Sequence, residues 1–127
     1  MIKELVQSTL DNMLYPKNVY VYEQRKIGVD SDSYVVYSLS GQSREYYADD
    51  KAIIKKAGVT VKYYYRTEML ESTTNKEKVR ETEQLIETAL EEAGFSIPFG
   101  KFDAGDVDDI GYYTTIFECE YSEVVYD

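Results

Sequence analysis

Apolar residues open the chain at Ile2, Leu5, Val6, Leu10, Met13 and Leu14. Steps of three and four place them on one stripe, which predicts an amphipathic helix over residues 2–14. Pro16 ends it, because the residue before a proline is pushed out of the helical region. From Asn18 the period drops to two, with Val19 and Val21 against Tyr20 and Tyr22, and a strand is expected to about Arg25. Residues 26–33 read as a connection whose apolar side chains, Ile27 and Val29, have no evident core to enter. Alternation resumes at Tyr34, with Val35, Tyr37 and Leu39 on one face. Ser40-Gly41-Gln42 reads as a turn, with residues 44–47 returning antiparallel. Residues 48–57 show no clean period and read as irregular chain passing into strand. Val59, Val61, Tyr63 and Tyr65 then oppose Thr60, Lys62, Tyr64 and Arg66, the pattern of a central strand.

Thr74-Asn75-Lys76-Glu77 matches a capping box, in which hydroxyl and carboxylate satisfy each other's orphan amides. A second helix is predicted from there to about Ala93, with Val79, Ile86, Ala89, Leu90 and Ala93 inward and Leu85 at the edge. Gly94 is placed to take a left-handed cap conformation. Phe95–Phe102 is short and apolar, and Asp103–Asp109 reads as an acidic loop. Residues 110–125 alternate Tyr113, Thr115, Phe117, Cys119 and Tyr121 against Tyr112, Thr114, Ile116, Glu118 and Glu120, a long last strand reached by a hairpin from near Phe102. Short links between strands imply antiparallel pairing. The expected architecture is a single α+β domain over residues 1–127, an antiparallel or mixed β-sheet with two amphipathic helices packed on one face.

Composition sharpens this picture in two places. Tyrosine is present 14 times, histidine and tryptophan not at all. Tyrosine favours strands and carries a polar tip, so sheet faces that are partly wet are expected. The formal net charge of −10 repels a phosphate backbone and an anionic membrane, and suits a basic protein partner or a surface past which DNA slides. With a single cysteine, Cys119, no internal disulfide can form, and synthesis in a reducing cytoplasm is expected. The first residues lack the apolar run of a signal peptide, and no stretch approaches a membrane span.

The absence of histidine removes the commonest general base, proton shuttle and metal ligand. Cys119, mid-strand between Phe117 and Tyr121, reads as a core residue. The glycines form neither a Walker loop nor a dinucleotide fingerprint. In the loop holding Asp103, Asp106, Asp108 and Asp109, an EF-hand count from Asp106 meets Asp108 and Gly111 where it should. It then meets Ile110 and Phe117 where oxygen ligands belong, so a solvated or interacting loop is expected instead. No catalytic residue, metal site or cofactor is expected. What remains is tyrosine: in Tyr46-Tyr47, Tyr63-Tyr64-Tyr65 and Tyr112-Tyr113, one ring of each group is expected in the core and its neighbour half exposed. The outward rings, Tyr64 and Tyr112 above all, are candidates for a protein-binding surface.

The element order resembles that of the tail-completion, or tail-terminator, family of long-tailed bacteriophages, which includes the head-to-tail joining proteins. The stretches that carry the resemblance are Tyr47–Lys51 leading into Val59–Arg66, the helix end Glu91–Phe95, and Phe117–Tyr121. The resemblance implies a structural virion protein, oligomeric as a ring (often a hexamer), that completes the tail and docks it to the head. Its implied partners are a tail-tube protein and a head-connector protein, with DNA passing through the channel without specific binding and no membrane involved. Its implied place is the virion head–tail junction, after synthesis in the host cytoplasm. Around Ile27 and Val29, and over Asp103–Asp109, the loops are the docking candidates. The alternative reading is an acidic DNA mimic that occupies a nuclease or repressor, motivated by the net charge. Against it, Lys76, Lys78 and Arg80 interrupt the acids of the second helix.

Overall fold

The computed structural model describes residues 2–14, 19–23, 33–46, 52–66, 72–98, 100–105 and 112–126. Helix α1 (Ile2–Leu14) is followed by strands β1 (Tyr20–Glu23), β2 (Ser33–Tyr46) and β3 (Ala52–Arg66), helix α2 (Thr73–Glu92), and strands β4 (Phe95–Ser96), β5 (Lys101–Gly105) and β6 (Tyr112–Tyr126). The fold is α+β, built on one mixed six-stranded sheet ordered β1-β2-β3-β6-β4, with β5 also pairing to β6. Among the described residues the β1–β2 pair is parallel and the other pairs are antiparallel.

The stripe predicted for α1 is the stripe it buries: Val6, Leu10 and Leu14 are fully enclosed. Tyr37 donates its hydroxyl to Gln7 Oε1 at 2.8 Å, and Gln7 Nε2 donates to the Val21 carbonyl at 3.3 Å. A single side chain of α1 thereby meets both β1 and β2. The alternation in β3 also holds, since Val59, Val61, Tyr63 and Tyr65 are all buried. In register with them lie Val35, Tyr37, Phe117 and Cys119. These residues and the buried side chains of both helices form one hydrophobic cluster, and this side of the sheet is its core face.

Three expectations need correction. Residues 40–46 do not turn back: β2 runs on past Gly41, with the register shifting between Leu39 and Gly41. Glycine in a strand marks a bulge as readily as a turn, and here the extra residue is absorbed without leaving the β3 partner. The cap of α2 is Ser72, not Thr74, with the Ser72 hydroxyl accepting from the Asn75 amide at 3.1 Å. Thr73 and Thr74 are already inside the first turn. Asp103 belongs to β5 and not to a loop, because Lys101–Asp103 supply the backbone groups that β6 residues Thr115–Phe117 pair with. The connection holding Ile27 and Val29, and Asp106, Asp108 and Asp109, lie outside the described residues.

Gly94 takes the expected positive φ, +101°, directly after the Ala93 cap. It turns the chain into β4, which lies beside Tyr121 and Glu120 of β6. Pro98 then interrupts the edge, since proline has no amide to give a ladder. The Gly100 amide closes the turn onto the Ile97 carbonyl at 3.0 Å. From there β5 resumes beside Thr114–Phe117.

Candidate interaction surface

Strand geometry sends alternate side chains to opposite sides. The side opposite the core face therefore carries Tyr34 and Val36 of β2, Thr60, Lys62, Tyr64 and Arg66 of β3, Tyr112, Thr114, Ile116 and Glu118 of β6, and Phe102 of β5. Strand register aligns these residues in rows across the sheet. Tyr34 pairs with Tyr64, and Val36 with Lys62. Lys62 pairs with Ile116 in turn, and Ile116 with Phe102. None of these residues belongs to the core cluster.

Tyrosine rings fill one end of this outer face. Tyr34 stacks on Tyr64 with centroids 4.8 Å apart and planes 13° from parallel. Tyr112 meets Tyr34 edge-on at 5.3 Å, Tyr22 of β1 does the same at 6.3 Å, and the Arg66 guanidinium lies 5.4 Å above the Tyr112 ring. Each such pair contributes about 0.5–1.5 kcal/mol beyond its buried area. The consequence for Tyr34 is burial: it is 5% exposed although it points away from the core cluster. Tyr64 and Tyr112 are half-buried, each with one side against Tyr34. Next to the rings lies a largely apolar row, Val36, Ile116 and Phe102, with Lys62 inserted between Val36 and Ile116. Phe102, 46% exposed, is the exposed large apolar residue among those described. Beyond this row the Thr60 hydroxyl lies 3.0 Å and 3.2 Å from the two Glu118 carboxylate oxygens and donates to that carboxylate.

The core face has its own polar knot. Glu83 of α2 is buried, and its Oε2 accepts from the Thr115 hydroxyl at 2.6 Å. Asp103 Oδ1 lies 3.3 Å from the same hydroxyl, and Lys101 Nζ lies 3.7 Å from Glu83 Oε1. Burial pushes the nearby Tyr63 phenol up to about 12, against the hydrogen bonds from Thr82 and Ser33 that lower it. Tyr65 is raised chiefly by burial as well. Burial likewise drives the Cys119 thiol up to about 12, so this cysteine is a neutral core side chain at physiological pH. The knot ties β5 and β6 to α2, and among the described residues no group of three or more acids, histidines or cysteines is arranged to hold a metal.

Of the residues singled out from sequence, Tyr64 and Tyr112 therefore meet on one surface, through Tyr34. Asp103 projects to the core face, on the other side of the sheet from them. Phe102, Lys62, Arg66 and Tyr34 were not singled out. Alternation through Lys101-Phe102-Asp103 was the available signal for Phe102. The packing of Tyr34 onto Tyr64 across the outer face has no one-dimensional signal, because it depends on which residues the register sets opposite each other. Among the described residues no helix is long and apolar enough to cross a membrane. Compared with family models and with curated protein sequences, the chain matches none.

Proposed function

We propose that this chain is a structural assembly subunit of a long-tailed bacteriophage that completes the tail and joins it to the head connector, acting through the outer face of its sheet. The observation that carries the reading is that face itself. It presents a partly apolar row ending in exposed Phe102, beside a tyrosine–arginine cluster, on a sheet whose opposite side already holds the core. Tyrosine, phenylalanine and arginine are the residues enriched in protein interfaces, and a contiguous aromatic and apolar surface marks a contact site. The element order, helix, strands, helix, strands, is the one on which the family resemblance rests. Two features weigh against the DNA-mimic reading. Cations interrupt the first half of α2, and the central strand β3 carries Lys55, Lys56, Lys62 and Arg66 with no acid.

The test is a phage whose copy of this gene is stopped by a nonsense codon, with the lysate viewed by electron microscopy. Filled heads and unjoined tails, rescued by the protein supplied in trans, are expected. Normal virions from that lysate overturn the reading.

A further inference from the structure

We infer that the outer face of the sheet docks the C-terminal half of helix α2 of a second copy of this chain, an inference that rests on the assembly reading above. Charge is divided unevenly within one molecule. In a chain of net charge −10, β3 has the sequence AIIKKAGVTVKYYYR, with cations and no acid. Alternation sends Lys56, Lys62 and Arg66 of that strand to the outer face.

Helix α2 is the counterpart. After Arg80 it carries Glu81, Glu83, Glu87, Glu91 and Glu92 and no further cation, and its last turn has no basic residue. Glu83 is taken up by Thr115 inside the protein; Glu81, Glu91 and Glu92 are exposed and Glu87 half-buried. Carboxylates at the C-terminal end of a helix add to the negative pole of its dipole, a placement that a lone subunit does not favour. The Lys62 ammonium brought against that end relieves it.

The two surfaces cannot meet within one molecule. The buried side of α2 joins the core cluster and leaves Glu81, Glu91 and Glu92 exposed, while Lys62 and Phe102 project from the other side of the sheet. A patch on one side that complements a patch on the other makes a head-to-tail contact, which closes into a ring when the rotation per subunit allows. Lys62 suits such a contact. Its stem lies between Val36 and Ile116, so a partner covering these apolar groups meets the ammonium at the centre of the interface. The same arrangement argues against single-stranded nucleic acid as the occupant. Bases stack on open ring faces, and here Tyr34 takes one face of Tyr64 and Arg66 one face of Tyr112, which reduces the aromatic surface left for them.

The experiment uses two charge reversals, Lys62→Glu and Glu91→Lys, followed by sedimentation velocity up to about 1 mM protein. The wild-type chain is expected to associate beyond a dimer, and each variant alone to lose association by about tenfold or more while keeping its thermal midpoint. An equimolar mixture of the two variants is expected to regain it, because each supplies the charge that the other now needs. Unfolded variants cannot produce that recovery. A wild-type chain that stays monomeric, variants that associate like wild type, or a mixture no better than its components overturns the contact. Binding of a labelled single-stranded oligonucleotide that Lys62→Glu abolishes overturns it too, and assigns the face to nucleic acid. The two proposals fail separately. Unjoined heads and tails from the stopped gene, with no recovery on mixing, defeat the contact and leave the function standing. Recovery on mixing, with normal virions from the stopped gene, does the reverse.

Discussion

Thr115 joins three elements through one hydroxyl. Its proton goes to Glu83 on α2 at 2.6 Å, with Asp103 on β5 the second acceptor in reach, and it sits on β6. A buried carboxylate that loses such a donor keeps its desolvation penalty with only the exposed Lys101 ammonium, 3.7 Å away, to offset it. Thr115→Val, which keeps the shape and removes the hydroxyl, should therefore lower unfolding free energy by about 1–3 kcal/mol in urea titrations. Tyr63 and Cys119 make a second residue-scale prediction. Both are neutral when protonated, and burial raises Tyr63 from 10.0 to about 12 and Cys119 from 9.0 to about 12. The folded state then holds these protons more tightly than the unfolded state, so their contribution is complete below pH 9.0 and fades as pH rises towards about 12. Denaturant midpoints should fall across that window, and Cys119→Ala should remove the part of the fall that begins earliest. A midpoint flat through it would contradict the burial of both groups.

At the scale of elements, α2 depends on its two ends. Ser72 satisfies one orphan amide, and Ser72→Ala should cost about 1 kcal/mol. Gly94 sits at φ +101°, where an added Cβ would also come 3.3 Å from the Tyr121 ring, so Gly94→Ala should cost more than the cap does. Thermal unfolding of the two variants checks the order. Both helices were legible because their apolar spacing is regular and long. The cap position is not legible, since Ser72, Thr73 and Thr74 are three consecutive hydroxyl residues and only backbone geometry selects among them. The length of β2 was not legible either: past Gly41 its residues are Gln42, Ser43, Arg44 and Glu45, with no apolar alternation to carry the strand forward. What holds it extended is pairing with β3, whose first half, Ala52–Ala57, is equally aperiodic. Each of these segments takes its conformation from the other. That dependence is tertiary and leaves no local trace.

The whole molecule divides its labour between the two sides of one sheet. The core face was readable from period-two patterning, and the presence of outward tyrosines followed from the same pattern. Their organisation did not. Tyr64 and Tyr112 cover Tyr34 instead of standing free, so Tyr64→Ala is expected to cost some stability, about 0.5–1.5 kcal/mol, along with assembly. Phe102→Asp separates the two effects. Phe102 is exposed, so stability should move by less than about 0.5 kcal/mol while association is lost. The measurement that bears most directly on the outer face as the assembly surface is hydroxyl-radical footprinting, comparing the free chain with the chain in its particle. Labelling of Phe102, Tyr64, Tyr112 and Ile116 should fall on assembly, while that of Val61 and Phe117, already buried in the free chain, stays low in both. If those four side chains are labelled equally in the free and assembled states, the outer face is not the surface this protein assembles through.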